Sequence, residues 1–335
     1  MSHKAVSLDR YGDTQLRIGL DHSKDPVVFT ACSRALSRSS SIFRTMLYGE
    51  TVGNEPGIIS RRENQIIDVH HDTLVPMTTL LCIIHSKFDQ VPPALSVDEL
   101  YDLVVVARKY DMMTALRPWT AKWTKILGTN TQSTQEEITK ALWIYWELGQ
   151  RDAFYLAARR LTVESRAPVN SCPDGLRTPP GIAEHISSFR LQTIQSLIQV
   201  FREMIQKLLV VDEQPRWCRH AAWLGPHRCE SMILGSLTFC LCRAGLWPLP
   251  DAIHVKDSIL ELYTKLKTVV IHDIGQTTDD PRRNHQDCNP RQYLSEAVEQ
   301  VMNRIPNGRI ACCDDHFQDW ANDIAKKNET SSESQ

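Results

Sequence analysis

Four side chains in the last half of the chain carry the residue types that hold soft metal ions: Cys218, Cys229, His285 and Cys288. Three thiolates and one imidazole can bind Zn²⁺ tetrahedrally, and His285-x-x-Cys288 has the spacing of a metal knuckle. The first pair, Cys218-x10-Cys229, is not a standard knuckle, and nearly 60 residues separate the halves. His220, His227, Cys312, Cys313 and His316 offer the same chemistry, so the sequence leaves the choice of four ligands open. The competing reading is scattered reduced cysteines, with Cys240 and Cys242 in a helix core. No catalytic, cofactor or metal residue is therefore assigned from sequence. A zinc-binding domain at 210–320 with an enzymatic or sensing role stands as the alternative to the main reading below.

Other reactive groups are less suggestive. A nucleophilic thiol needs a base or a helix N-terminus to lower its pKa. Cys82 sits inside a helical pattern with no evident base. Cys312-Cys313 beside His316 is a looser arrangement of the same kind. No GxSxG, HExxH, Walker or GxGxxG pattern occurs, and Gly49, Gly53 and Gly57 are too dispersed to cradle a phosphate. The expectation is a protein that is not an enzyme.

Charge is nearly balanced, with 38 basic and 40 acidic residues. That argues against nucleic-acid binding by bulk charge. Arg34, Arg38, Arg44 and Arg61-Arg62 make the first part locally basic, but no zinc finger, homeodomain or basic zipper accompanies them. The start, MSHKAVSLDRYGDTQ, has no apolar signal-peptide core, and no run approaches the roughly 18 apolar residues of a membrane span. The expected location is cytoplasm and/or nucleus, where the ten cysteines stay mostly reduced.

The elements that position these residues follow from periodicity. Leu16, Ile18 and Leu20 alternate as a strand, Val27–Phe29 read as a second, and Ile66, Ile67 and Val69 as a third. Between them Ala35/Leu36, Ile42/Phe43 and Met46/Leu47 suggest two short helices, with Ser39 or Ser40 capping the second. Leu74, Met77, Leu80, Leu81 and Ile84 suggest one helix face. Ser96-Val97-Asp98-Glu99 is a capping box opening a helix with Leu100, Leu103, Val104 and Ala107 inward. Leu116, Trp119, Trp123 and Leu127 mark a further helix. A small sheet with segregated helices is an α+β domain.

From about 135 the pattern is helical. Ile138–Leu148 ends at Gly149, and a second helix follows through Leu161, with Trp143 and Trp146 read as core. A Pro/Gly-rich loop spans 166–181. Helices are expected after Pro179-Pro180 and near 228–245, 256–272, 291–304 and 311–327. Trp217, Trp223 and Trp247 lie in polar or Pro-rich surroundings, where one of them would suit a partner contact. The polar end, 328–335, reads as a disordered tail.

The stretch 28–47, VFTACSRALSRSSSIFRTML, with Phe29, Leu36, Ser40 and Phe43 in order, resembles the BTB/POZ signature. LLCIIHSKFDQVP (80–92) and LSVDELYDLVVVARKYDMMTALRPW (95–119) resemble the variant abundant in filamentous fungi. WIYWELGQRDAFYLAARRL (143–161) resembles its helical continuation. The resemblance covers roughly 10–128 and implies a BTB/POZ-like domain there, with a helical C-terminal domain at 135–327. It implies a non-enzymatic protein–protein interaction module. Two subclasses follow: a substrate adaptor of a cullin–RING ubiquitin ligase, with cullin as partner, or a scaffold in transcription complexes.

Two departures bear on partners. Cys32-Ser33 stands where many members carry His and a basic residue, so Asp13 lacks the cation of a charged docking pocket. Ser33, Arg34, Ser37 and Arg38 give the first helix a polar exposed face, which disfavours the family homodimer.

Overall fold

The computed structural model describes residues 4–19, 27–49, 65–69, 72–127, 133–166, 175–210, 215–218, 227–272, 285–305, 313 and 315–319. Leu20, Arg61-Arg62, His220, Trp223, Cys312, the 328–335 tail and most of the helix expected at 311–327 lie outside them. Among the described residues the fold is mixed α and β, mostly helical, with one four-stranded sheet. It divides into two compact units, one mainly of residues up to Phe154, the other Tyr155–Gln318. Among the described residues no helix is long and apolar enough to cross a membrane.

In the first unit the strands are β1 (Lys4–Ser7), β2 (Thr14–Ile18), β3 (Val27–Ala31) and β4 (Gln65–Val69). Their order is β1-β3-β2-β4. β2 and β3 are antiparallel, while β1 runs parallel to β3 and β4 parallel to β2. Alternation dictates the register. Leu16 stands between Phe29 and Ile67, and Ile18 between Val27 and Val69, all buried. A slip of one residue would turn this row to solvent. On the other face Arg17 pairs with Asp68 at 2.5 Å.

Helices α1 (Ser33–Ser39) and α2 (Ser41–Tyr48) follow β3. Ser40 ends the first in extended backbone and caps the second, accepting from Phe43 N at 2.9 Å. α3 (Leu74–Ile84) differs from the one-faced helix expected. Met77, Thr79, Leu80, Leu81, Cys82 and Ile83 are all buried, whereas Leu74 in the first turn is exposed. A helix apolar on every side is one enclosed by its neighbours.

α4 (Val97–Lys109) opens on the Ser96/Glu99 capping box and buries Leu100, Leu103, Val104 and Ala107. α5 (Arg117–Leu127) buries Trp123, whose indole N–H donates to Pro92 O at 3.0 Å. α6 (Gln135–Glu147) starts on a second capping box, Thr134/Glu137, and packs on α4 with Lys140 bridging to Asp98 at 2.7 Å. Trp143 and Trp146 are buried in it, and Gly149 (φ 67°) ends the segment in the left-handed conformation glycine tolerates.

α7 (Arg151–Glu164) leads into the second unit. There α8 (Ile182–Leu209) buries Ile194, Leu197, Ile198, Phe201 and Ile205 against α9 (Arg228–Arg243), α10 (Ile259–Lys267) and α11 (Arg291–Asn303). The helix expected at 256–272 is shorter because Ser258 caps it through Glu261 and Thr268 ends it. Arg190 Nη2 donates to Asp257 O at 2.5 Å and to Arg166 O, and its Nε donates to Ser165 O, so one guanidinium ties three backbone carbonyls together. Burial lowers its pKa.

Candidate metal centre and docking face

Cys218, Cys229, His285 and Cys288 converge in the second unit, all four buried. Each is placed by simple local structure. Gln286–Cys288 is a 3-10 turn in which Cys288 N donates to His285 O at 2.9 Å. Positions i and i+3 eclipse in that geometry, so His285 and Cys288 present side by side. Cys229 lies in the first turn of α9, where the helix dipole favours an anion. Cys218 arrives on an irregular segment held by Glu230, whose carboxyl accepts from Trp217 N at 2.6 Å and Cys218 N at 3.4 Å. Glu230 is fully buried, and its other oxygen faces His227 Nδ1 at 3.2 Å. The Trp217 indole N–H donates to Cys288 O at 2.7 Å, joining that segment to the 3-10 turn.

The donor atoms lie within 4.8 Å of one another. Cys218 Sγ is 3.5 Å from His285 Nδ1, and Cys288 Sγ is 3.8 Å from both that nitrogen and Cys218 Sγ. A tetrahedral ion with metal–sulfur bonds of about 2.3 Å and a metal–nitrogen bond of about 2.0 Å spaces its donors about 3.8 Å sulfur to sulfur and about 3.5 Å sulfur to nitrogen. The sulfur pair is too far apart for a disulfide, whose bond is about 2.05 Å. Burial, then the neighbouring Cys288 and Cys218, push the Cys229 thiol up. Four donors fill a tetrahedron and leave no position for water or substrate, so this set suits a structural ion.

Among the other candidates, His227 faces Glu230 rather than the sulfurs. Cys313 and His316 fall outside the four-residue group, with His316 against the Phe317 ring. The expected helix-core role needs correcting for Cys242, whereas Cys240 is partly buried and packs against the core. The buried row of α9 is Cys229, Ile233, Leu237 and Leu241, which leaves Cys240 half-exposed and Cys242 exposed. Trp217 is taken up by Cys288 and by an edge-on contact with Tyr293, while Trp247 is 40% exposed. Glu230 carried no motif in the sequence; its adjacency to Cys229 was the only signal.

In the first unit the motif residues meet. Ser40 Oγ donates to Tyr110 O at 2.6 Å, and Phe43 stacks on the Tyr110 ring with centroids 4.8 Å apart. Lys109 and the Tyr110 hydroxyl both donate to buried Asp72, and Ser41 donates to Asp111. The Cys82 thiol is raised by burial and lies 3.7 Å from Gln90 Oε1, a packing environment rather than a nucleophile's. His85 Nε2 accepts from Cys32 N at 3.0 Å and its Nδ1 donates to Leu81 O, so the ring is neutral. Burial lowers its pKa.

Asp13 accepts from both the backbone N–H and the hydroxyl of Ser33 at 2.7 Å, and the Tyr48 hydroxyl donates to the same Ser33 Oγ. Ser33 is thereby drawn inward and buried, contrary to its expected place on the exposed face. Arg34 and Arg38 remain exposed and Ser37 half-exposed.

No family model, curated protein or solved structure matches the chain.

Proposed function

We propose that this chain is a non-enzymatic protein–protein interaction protein, with a BTB/POZ-like first unit joined to a helical second unit, and that it serves as a substrate adaptor of a cullin–RING ubiquitin ligase. One observation carries the reading. Ser40 and Phe43, from the signature stretch, meet Tyr110, from the KYD motif, in one cluster. Motifs 70 positions apart that resemble one family also serve one packing unit. The small sheet with helices beside it supports the reading at the level of an α+β fold. The adaptor subclass further expects helices after the stretch 10–128 that carries the resemblance, and α6 and α7 follow it in sequence. Asp13 spends its carboxylate on Ser33, which weighs against docking through a charged pocket there.

The experiment is direct binding of the purified full chain to a cullin N-terminal domain at low salt. Co-elution and a saturable isotherm are expected. Clean separation of the two proteins would end the adaptor reading. Against the enzymatic half of the alternative, a zinc-binding domain at 210–320 with an enzymatic or sensing role, stands the donor set itself: an ion held by all four donors would have no open coordination position.

A further inference from the structure

We infer that Cys218, Cys229, His285 and Cys288 together hold one Zn²⁺ ion as a closed structural site that fastens three segments of the second unit. This goes beyond the docking role and does not depend on it.

Four observations converge. The donor set is three sulfurs and one imidazole nitrogen, the chemistry that selects zinc among common intracellular divalent ions. Cys218 Sγ–Cys288 Sγ at 3.8 Å and Cys218 Sγ–His285 Nδ1 at 3.5 Å match the sulfur–sulfur and sulfur–nitrogen edges of a zinc tetrahedron, Cys288 Sγ–His285 Nδ1 at 3.8 Å is slightly longer than such an edge, and all four donors lie within 4.8 Å. All four side chains are buried, so a solvated cluster of convenience is not what the geometry shows. The backbone around them is braced by hydrogen bonds: buried Glu230 holds the Trp217 and Cys218 N–H groups, and Trp217 holds Cys288 O. Ligand orientation by an outer ring of hydrogen bonds is characteristic of built metal sites. A two-iron cluster would spread its ligands further than this set allows.

Coordination balances as follows. Three thiols release three protons to solvent, the imidazole binds through Nδ1 with its proton on Nε2, and the ion with its ligands carries one net negative charge. No oxidant or reductant takes part. The ligands come from Cys218, the start of α9 and the turn before α11, so one ion closes two long loops of the chain. Cys218, Cys229 and Cys288 belong to the same apolar core as α8 and α10, so their fastening is continuous with the packing of the whole second unit.

The full chain, purified through a tag without histidines and dialysed without chelator, tests this by elemental analysis. About one zinc per chain is expected; less than half an equivalent overturns the proposal, as does finding a Cys218–Cys288 disulfide in freshly purified protein. Cysteine variants that fail to fold would be uninformative, so the second measurement uses the wild-type chain. Stepwise modification of its thiols should release zinc in step with loss of Cys218, Cys229 and Cys288, mapped by mass spectrometry. Refolding with Co²⁺ should give thiolate-to-cobalt charge-transfer bands. Zinc that leaves while those thiols remain unmodified, or a cobalt spectrum without thiolate bands, identifies an adventitious ion and also overturns the proposal.

Discussion

The Ser40 hydroxyl donates to the Tyr110 carbonyl at 2.6 Å while accepting from Phe43 N at 2.9 Å. One oxygen therefore caps α2 and fixes it to the end of α4. Ser40→Ala removes the cap and leaves a buried carbonyl unpaired, so the first unit should lose about 2–3 kcal/mol. Ser40→Thr, which keeps the hydroxyl, should lose less. Urea unfolding followed by circular dichroism and tryptophan fluorescence checks both.

His85 gives the first unit a pH dependence of defined sign. Burial lowers its folded pKa, so the unfolded chain binds the proton more readily. Its contribution is complete above the ordinary imidazole value of about 6.5 and is lost as pH falls from there towards the lower folded value. Protonation of Nε2 would set its new N–H against the Cys32 N–H it now accepts from. Thermal melts of wild type and His85→Gln across that window should show the wild type falling more steeply. Parallel slopes would contradict the assignment.

Arg190, inside α8, joins three backbone carbonyls of the second unit, those of Ser165, Arg166 and Asp257. Arg190→Met keeps much of the apolar stem and removes every donor, at about 2–4 kcal/mol. Arg190→Lys recovers little, because an ammonium cannot span three carbonyls in a planar fork. Differential scanning calorimetry reads both changes.

Much of the fold was legible because its signals are local. The Leu16/Ile18 alternation, the Ser96/Glu99 box and Gly149 each act within a few residues. β1 was not legible: four residues long, at the sheet edge and parallel to β3, it shows no alternation of its own. Cys242 lies off the core side of α9, contrary to expectation, because the phase of that helix is fixed by α8, a tertiary partner. The metal cluster was half-legible. His285-x-x-Cys288 is local spacing that a 3-10 turn realises, whereas the choice of Cys218 and Cys229 over His227, Cys313 and His316 required the fold. Ser33 was misplaced because its position answers to Asp13, 20 residues earlier.

Glu230 acts on the cluster without being a ligand. Glu230→Ala frees the Trp217 and Cys218 N–H groups and should weaken zinc affinity about ten- to a hundred-fold. Glu230→Gln, which keeps an acceptor oxygen, should weaken it less. Competition with a chromophoric chelator measures the series, and equal affinities across all three proteins would show that the carboxyl does not position Cys218.

X-ray absorption at the zinc edge of the purified full chain tests the central structural claim most directly. Three sulfurs at about 2.3 Å and one nitrogen at about 2.0 Å are the predicted shell. A shell of light atoms alone, or four sulfurs with no nitrogen, would contradict a site built from Cys218, Cys229, His285 and Cys288.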